Sequence, residues 1–97
     1  MELQAKKVVI GNLEFYLGYS HRALFKYMNL TSKDPDNPEL VIHYYYDLAK
    51  KGAELEGKEF NYTFEQFYDA LDPYPKAFTI ISEAIEELLG EDEGKKK

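Results

Sequence analysis

Near the start of the chain, apolar and polar positions follow the two-residue period of a β-strand. An apolar run ends at the turn dipeptide Gly11-Asn12, and apolar side chains then recur at every second position: Leu13, Phe15 and Leu17. Two such runs joined by a two-residue glycine turn are typical of a β-hairpin. The pattern predicts strands over residues 3–10 and 13–18. Because two strands alone are only marginally stable, we expect this hairpin to pack on helices or on a neighbouring chain.

The hairpin is followed by a short helical segment. Ser20 is a favourable N-cap, and the pattern predicts a helix over residues 21–28. Three side chains of this helix are expected to face inward: Leu24, Phe25 and Met28. Residues 31–38 are rich in Asp, Asn, Pro, Ser and Thr, which indicates a loop.

The next helix is expected over residues 38–51. Pro38 suits its first turn, and Gly52 after two lysines resembles a stop signal. Its apolar positions extend nearly all round, which is typical of a helix that is central or covered by a partner. Residues 54–59 are predicted to form a polar linker.

Two amphipathic helices are predicted in the last third of the chain. Thr63 and Gln66 have the spacing of a capping box at the first of them. Pro73 and Pro75 end that helix, because proline lacks an amide donor and clashes with the preceding turn. The apolar face of the first helix is Phe64, Phe67, Tyr68 and Leu71, and that of the second is Ala77, Phe78, Ile81, Ala84, Ile85 and Leu88.

These elements predict an α+β fold that is mostly helical, with an N-terminal β-hairpin packed on about four short helices. Residues 1–90 are expected to form a single domain, which is a common domain size. Residues 91–97 are expected to be a disordered charged tail.

Composition and charge narrow the function classes. The chain has 18 acidic and 12 basic residues, a net charge of −6, so it lacks the basic excess that nucleic-acid binding requires. With no cysteine, it has neither disulfides nor thiolate chemistry. The sequence contains no apolar run of about 18 residues, and no membrane association is expected.

Residues that could carry catalysis or bind a metal are few. His21 and His43 lie on different predicted helices, and no standard metal-ligand spacing surrounds them. An acidic segment that begins at Asp34 faintly resembles a calcium loop. It lacks the glycine at the sixth position and the glutamate at the twelfth, where Tyr45 stands. We therefore expect no enzyme activity, no metal and no cofactor.

The run Tyr44-Tyr45-Tyr46 is the best candidate for a binding surface. Consecutive helical residues point about 100° apart, so the three rings cannot share one buried face. At least one ring should be exposed or lie at an interface, where tyrosine is favoured. Tyr46 is the residue expected to point outward. The alternative is that its ring lies on the domain's own hairpin.

Several short motifs, in this order, resemble those of the small tail assembly chaperones of long-tailed bacteriophages and prophages. The resemblance spans about Val8 to Leu89, which is most of the chain. The matching positions are Gly18-Tyr19-Ser20, Arg22-Ala23-Leu24, Tyr62-Thr63-Phe64, Phe67 and Leu71-Asp72. They are capping and packing residues, and none is catalytic.

The resemblance implies a non-enzymatic role in tail morphogenesis, in the cytoplasm of the bacterial host. It implies binding to the tape measure protein, recruitment of tail tube protein, and self-association. A long amphipathic partner helix would need an apolar and aromatic surface. The expected partner-binding residues are Tyr44, Tyr45, Tyr46, Phe64, Phe67 and Tyr68. The alternative function is an acidic regulatory protein-binding module of a mobile element, such as an anti-repressor or a nucleic-acid mimic.

Overall fold

An antiparallel hairpin and four helices make up the part of the chain that the computed structural model describes, residues 5–93. This confirms the predicted α+β, mostly helical fold. The elements are β1 (Ala5–Ile10), β2 (Leu13–Gly18), α1 (His21–Lys33), α2 (Leu40–Glu56), α3 (Phe64–Leu71) and α4 (Ala77–Glu93). No helix in this part of the chain is both long enough and apolar enough to cross a membrane.

The hairpin has one buried face and one solvent face, as its alternating sequence predicts. Val8 pairs with Phe15 across the two strands, and Gly11 takes a φ of 60° in the connecting turn. The inward face consists of Val8, Ile10, Leu13, Phe15 and Leu17. Helix α2 packs against β2, and α4 packs against β1. The two helices thus cover the apolar face that two strands could not bury alone.

Helix α2 is longer than predicted, and the expectation that Gly52 ends it is wrong. Gly52 is buried inside the helix, where a Cβ atom would lie 2.1 Å from the carbonyl oxygen of Tyr16. The helix instead ends at Gly57, which has a φ of 68° and accepts the left-handed conformation at no steric cost. The predicted linker therefore starts only after Glu56. Gly52 is required because α2 packs closely on β2 at this position. The residues next to Gly52 in the sequence do not indicate this contact.

Helix α1 begins as predicted but ends later. The Ala23 amide donates to Ser20 Oγ at 3.2 Å, which confirms the N-cap. The helix continues to Lys33, so the first three residues of the predicted loop are helical. The inward orientation of Phe25 and Met28 is wrong, since these side chains are 60% and 53% exposed.

The two C-terminal helices follow their local signals closely. The capping box of α3 is present, with Gln66 N to Thr63 Oγ1 at 3.1 Å and Thr63 N to Gln66 Oε1 at 2.9 Å. Most of the predicted apolar face of α4 is buried, but Phe78 is 41% exposed. The backbone of α4 is helical from Ala77 to Glu93. Residues 94–97 lie outside the described part of the chain.

The core joins the hairpin to α2, α3 and α4. Phe15 and Phe67 meet edge to face, with ring centroids 5.3 Å apart. Among the described side chains, no buried residue is polar or charged. The largest fully buried side chains are Phe67, Ile10, Leu17, Leu48 and Ile81.

Candidate functional site

The three consecutive tyrosines of α2 lie in three different environments. Tyr45 is buried and meets Phe78 of α4 edge to face, with centroids 5.7 Å apart. Tyr44 is half-buried and stacks on Tyr27 of α1, with centroids 4.9 Å apart and ring planes 16° from parallel. Tyr46 points toward α3. Each ring thus fixes a different neighbouring helix to α2.

Tyr46 does not point outward, contrary to the prediction. It is half-buried, and its hydroxyl donates to the carbonyl oxygen of Tyr62 at 2.7 Å. Its ring centroid lies 5.6 Å from that of Phe60 and 5.7 Å from those of Phe64 and Phe67. Among the described residues, its aromatic neighbours belong to α3 and the segment before it rather than to the hairpin. Tyr46 therefore fixes the start of α3 against α2.

His43 and Phe64 form a parallel stack, with centroids 3.8 Å apart and planes within 5°. On the same side, the Tyr68 hydroxyl lies 3.5 Å from Glu39 Oε2. Partial desolvation, followed by the nearby Glu39 carboxylate, raises the pKa of Tyr68. Among the side chains that the structure describes, residues 5–89, no three His, Asp or Glu are grouped closely enough to hold a metal ion.

The six predicted partner-binding residues differ in how accessible their side chains are to a partner. Phe67 and Tyr45 lie in the core and could reach a partner only if the domain opened. Tyr44, Tyr46 and Phe64 are half-buried by their own ring contacts. Tyr68 is the member that lines an open groove.

This groove lies at the junction of α3 and α4 and has a volume of about 220 Å³. It is lined by Tyr68, Leu71, Asp72, Tyr74, Pro75, Ala77 and Phe78. We call it the aromatic groove. Tyr74 and Phe78 remain 36% and 41% exposed, so their rings are accessible to a ligand.

Two successive turns carry Tyr74 into the wall of the aromatic groove. The Tyr74 amide donates to the Leu71 carbonyl oxygen, and the Ala77 amide donates to the Tyr74 carbonyl oxygen, both at 3.0 Å. The end of its ring lies over the hairpin turn, where a Cβ on Gly11 would be 2.0 Å from the Tyr74 hydroxyl oxygen. Sequence reasoning missed Tyr74 as a site residue. The available signal was a tyrosine held between two prolines.

The aromatic groove has the chemistry of a binding site for an apolar side chain. Its lining is mainly aromatic and aliphatic, and Asp72 contributes a carboxylate. Such a site takes an apolar group and favours a neighbouring cation or hydrogen-bond donor. Comparison of this chain with protein-family models, with curated proteins and with solved structures finds no match.

Proposed function

We propose that this protein is a non-enzymatic tail assembly chaperone of a phage or prophage. It binds the tape measure protein and helps to recruit tail tube subunits in the bacterial cytoplasm. The single observation that carries the protein-binding part is the accessible aromatic groove, with Tyr68, Tyr74 and Phe78 in its walls. The identity of the partners comes from the sequence resemblance.

The aromatic groove suits one anchor of an amphipathic helix. A volume of about 220 Å³ accommodates one or two large apolar side chains. Helices bound in grooves insert such anchors at spacings of three or four residues. Tyr68 and Tyr74 are held by contacts within the domain, so little conformational entropy is lost when they receive the anchor.

The charges beside the aromatic groove indicate which residues should flank the apolar anchor on the partner helix. Asp72 lines the groove, and Glu39 lies beside Tyr68. These carboxylates favour Lys or Arg one turn away from the apolar anchor on the partner helix. The proposed ligand segment is therefore an amphipathic helix with a cationic edge.

The acidic-mimic alternative is weaker because carboxylates and lysines are mixed on the surface. A nucleic-acid mimic would require a continuous row of unpaired carboxylates in place of phosphates. Four acidic side chains instead pair with lysines of this chain: Glu14 with Lys7, Asp47 with Lys26 and Lys50, Glu54 with Lys51, and Glu87 with Lys6. These pairs place positive charges among the carboxylates, which weakens the case for a mimic.

Co-expression with the tape measure protein of the same tail gene cluster tests the proposal. The wild-type chain should co-purify with it as a soluble complex. Phe78→Asp should weaken the complex at least about 30-fold, because a central aromatic anchor contributes about 2 kcal/mol or more. Val9→Asp is the matched control, since Val9 is 51% exposed on the solvent face of the hairpin.

Failure of the wild-type chain to form this complex would refute the proposal. Equal weakening by both substitutions would show that the aromatic groove is not the contact. Circular dichroism of each variant checks that the fold is retained. Capture of a phage repressor in place of the tape measure protein would support the regulatory alternative.

A further inference from the structure

Helix α1 carries a second apolar surface on the side that faces away from α2. Positions 21, 25, 28 and 32 fall on one side of a helix, because residues three and four apart are neighbours. We call these residues, His21, Phe25, Met28 and Ser32, the α1 strip. Its two apolar members are the most exposed of the large hydrophobic side chains described, at 60% for Phe25 and 53% for Met28. The opposite side of α1, around Ala23, is buried.

The charge beside the α1 strip is opposite in sign to that of the whole chain. Helix α1 contains Arg22, Lys26 and Lys33 and no acidic residue, although the net charge of the protein is −6. At about 100° per residue, these cations fall along one edge of the strip. Lys26 lies 3.4 Å from Asp47 of α2. Arg22 and Lys33 make no ion pair within the described part of the chain.

The α1 strip is held in place before any ligand arrives. The Ser20 cap fixes the start of the helix, and the Tyr27–Tyr44 stack attaches its inner side to α2. At the outer side, the His21 ring lies edge to face with the Tyr19 ring, with centroids 4.8 Å apart. Its centroid is 6.1 Å from that of the Phe25 ring. A preformed surface of this kind binds with little loss of entropy.

We infer that the α1 strip docks an acidic amphipathic helix of another protein. Phe25 and Met28 insert into the apolar seam of that helix. Methionine adapts to varied partner surfaces, and phenylalanine supplies a large buried area. Arg22 and Lys33 face carboxylates along the edge of the same helix. This inference is independent of the aromatic groove and of the tape measure assignment.

The length and charge of α1 favour a helix over other occupants. Thirteen residues extend about 20 Å, enough for three turns of helix-to-helix contact. Nucleic acid is disfavoured because tight binding neutralises about six or more phosphates, and α1 offers three cations.

Peptide binding in solution tests the inference. The probe is a fluorescein-labelled amphipathic peptide of about 18 residues made of Leu and Glu, which spans a helix longer than α1. Titration of the full chain, followed by fluorescence anisotropy, should show saturable binding that weakens as salt rises. The double variant Phe25→Ser/Met28→Ser should weaken binding at least about tenfold, which corresponds to about 1.4 kcal/mol.

Two further variants make the result specific. Arg22→Glu/Lys33→Glu should also weaken binding of the acidic peptide at least about tenfold, because the charges beside the strip then repel the peptide's carboxylates. Val9→Ser, which removes an exposed apolar side chain elsewhere, should leave binding unchanged. A matched peptide of Leu and Lys serves as the charge control, because it is attracted to the net negative charge of the whole protein. Its binding should be insensitive to Phe25→Ser/Met28→Ser.

The inference is overturned if the acidic peptide does not bind, or if its binding is insensitive to both double variants. Sedimentation and vesicle assays identify the competing occupants. Wild-type self-association that Phe25→Ser/Met28→Ser abolishes would show that a second copy covers the strip. Binding to phosphatidylserine vesicles that the same variant abolishes would assign the strip to a membrane. Binding of the acidic peptide by a chain that ignores the tape measure protein would refute only the proposed function.

Discussion

The two contacts that α2 makes with the hairpin and with α1 differ in construction. Toward the hairpin, the backbones of α2 and β2 meet directly. They can do so because Gly52 has no side chain, and a Cβ there would collide with the backbone of Tyr16. Toward α1, the contact is made by ring faces such as Tyr27 on Tyr44, and Phe25 stays in solvent. The hairpin contact requires close backbone packing, whereas the α1 contact leaves the outer side of α1 exposed.

The strongest test of this comparison is Gly52→Val. A Cβ at this position would lie 2.1 Å from a backbone oxygen, which cannot move without shifting β2. We expect a loss of more than about 4 kcal/mol in the free energy of unfolding, or no cooperative unfolding at all. Urea denaturation followed by circular dichroism measures it.

Gly57→Ala is the matched control for the close approach. Gly57 has a φ of 68°, but a Cβ there would meet no atom within 4 Å. The expected cost is only about 1 kcal/mol, from the left-handed backbone alone. Equal costs at the two glycines would contradict the assignment of Gly52 to close packing.

The next largest effect compares two phenylalanines. Phe67 is 0% exposed and packs on Phe15, so Phe67→Ala should cost about 3–5 kcal/mol through lost burial and a cavity. Phe25→Ala should change the free energy of unfolding by no more than about 0.5 kcal/mol. Both are measured by the same denaturation experiment. A large loss for Phe25→Ala would mean that the α1 strip supports the fold.

Alkaline pH should produce the smallest of these effects, at Tyr44 and Tyr45 of α2, which contact α1 and α4. Burial raises the pKa of Tyr44 and of Tyr45 above the ordinary value of 10.0, and nearby phenols including Tyr27 add to it. The folded state therefore holds these protons more tightly than the unfolded state. Their contribution to stability is complete below pH 10.0 and decreases as the pH rises above it.

Thermal unfolding across this pH range measures the contribution. The double variant Tyr44→Phe/Tyr45→Phe lacks both phenols, so its melting temperature should fall less steeply above pH 10.0 than that of the wild-type chain. Lysine deprotonation affects the two proteins alike and cancels in the difference. Parallel slopes would contradict the linkage.

Local signals in the sequence were sufficient for much of the fold. The turn at Gly11-Asn12, the Ser20 cap and the Thr63–Gln66 capping box each depend on residues at most three positions apart. Such short-range hydrogen bonds and backbone preferences act before tertiary contacts form. The order of one hairpin and four helices followed from them.

Signals that depend on tertiary contact were misread. Two lysines followed by Gly52 have the pattern of a helix end. The glycine is instead required because α2 packs directly on the backbone of β2 at Tyr16, which is distant in the sequence. Helix α1 has apolar residues on two sides, and periodicity alone does not show which side is buried. The aromatic groove arises where α3 and α4 meet, so the position of Tyr74 between two prolines did not by itself show that its ring would line a groove.

The close contact between Gly18 and Gly52 also makes the segment that contains α1 a loop whose two ends are held together. A Cβ on Gly18 would lie 3.0 Å from the Gly52 backbone, so the chain returns to nearly the same place after passing through α1. The segment between β2 and α2 is thus fixed at both ends, and its outer surface takes no part in the hairpin contact. Evolution or an engineer could rewrite that outer surface for a new partner while the rest of the protein keeps its architecture.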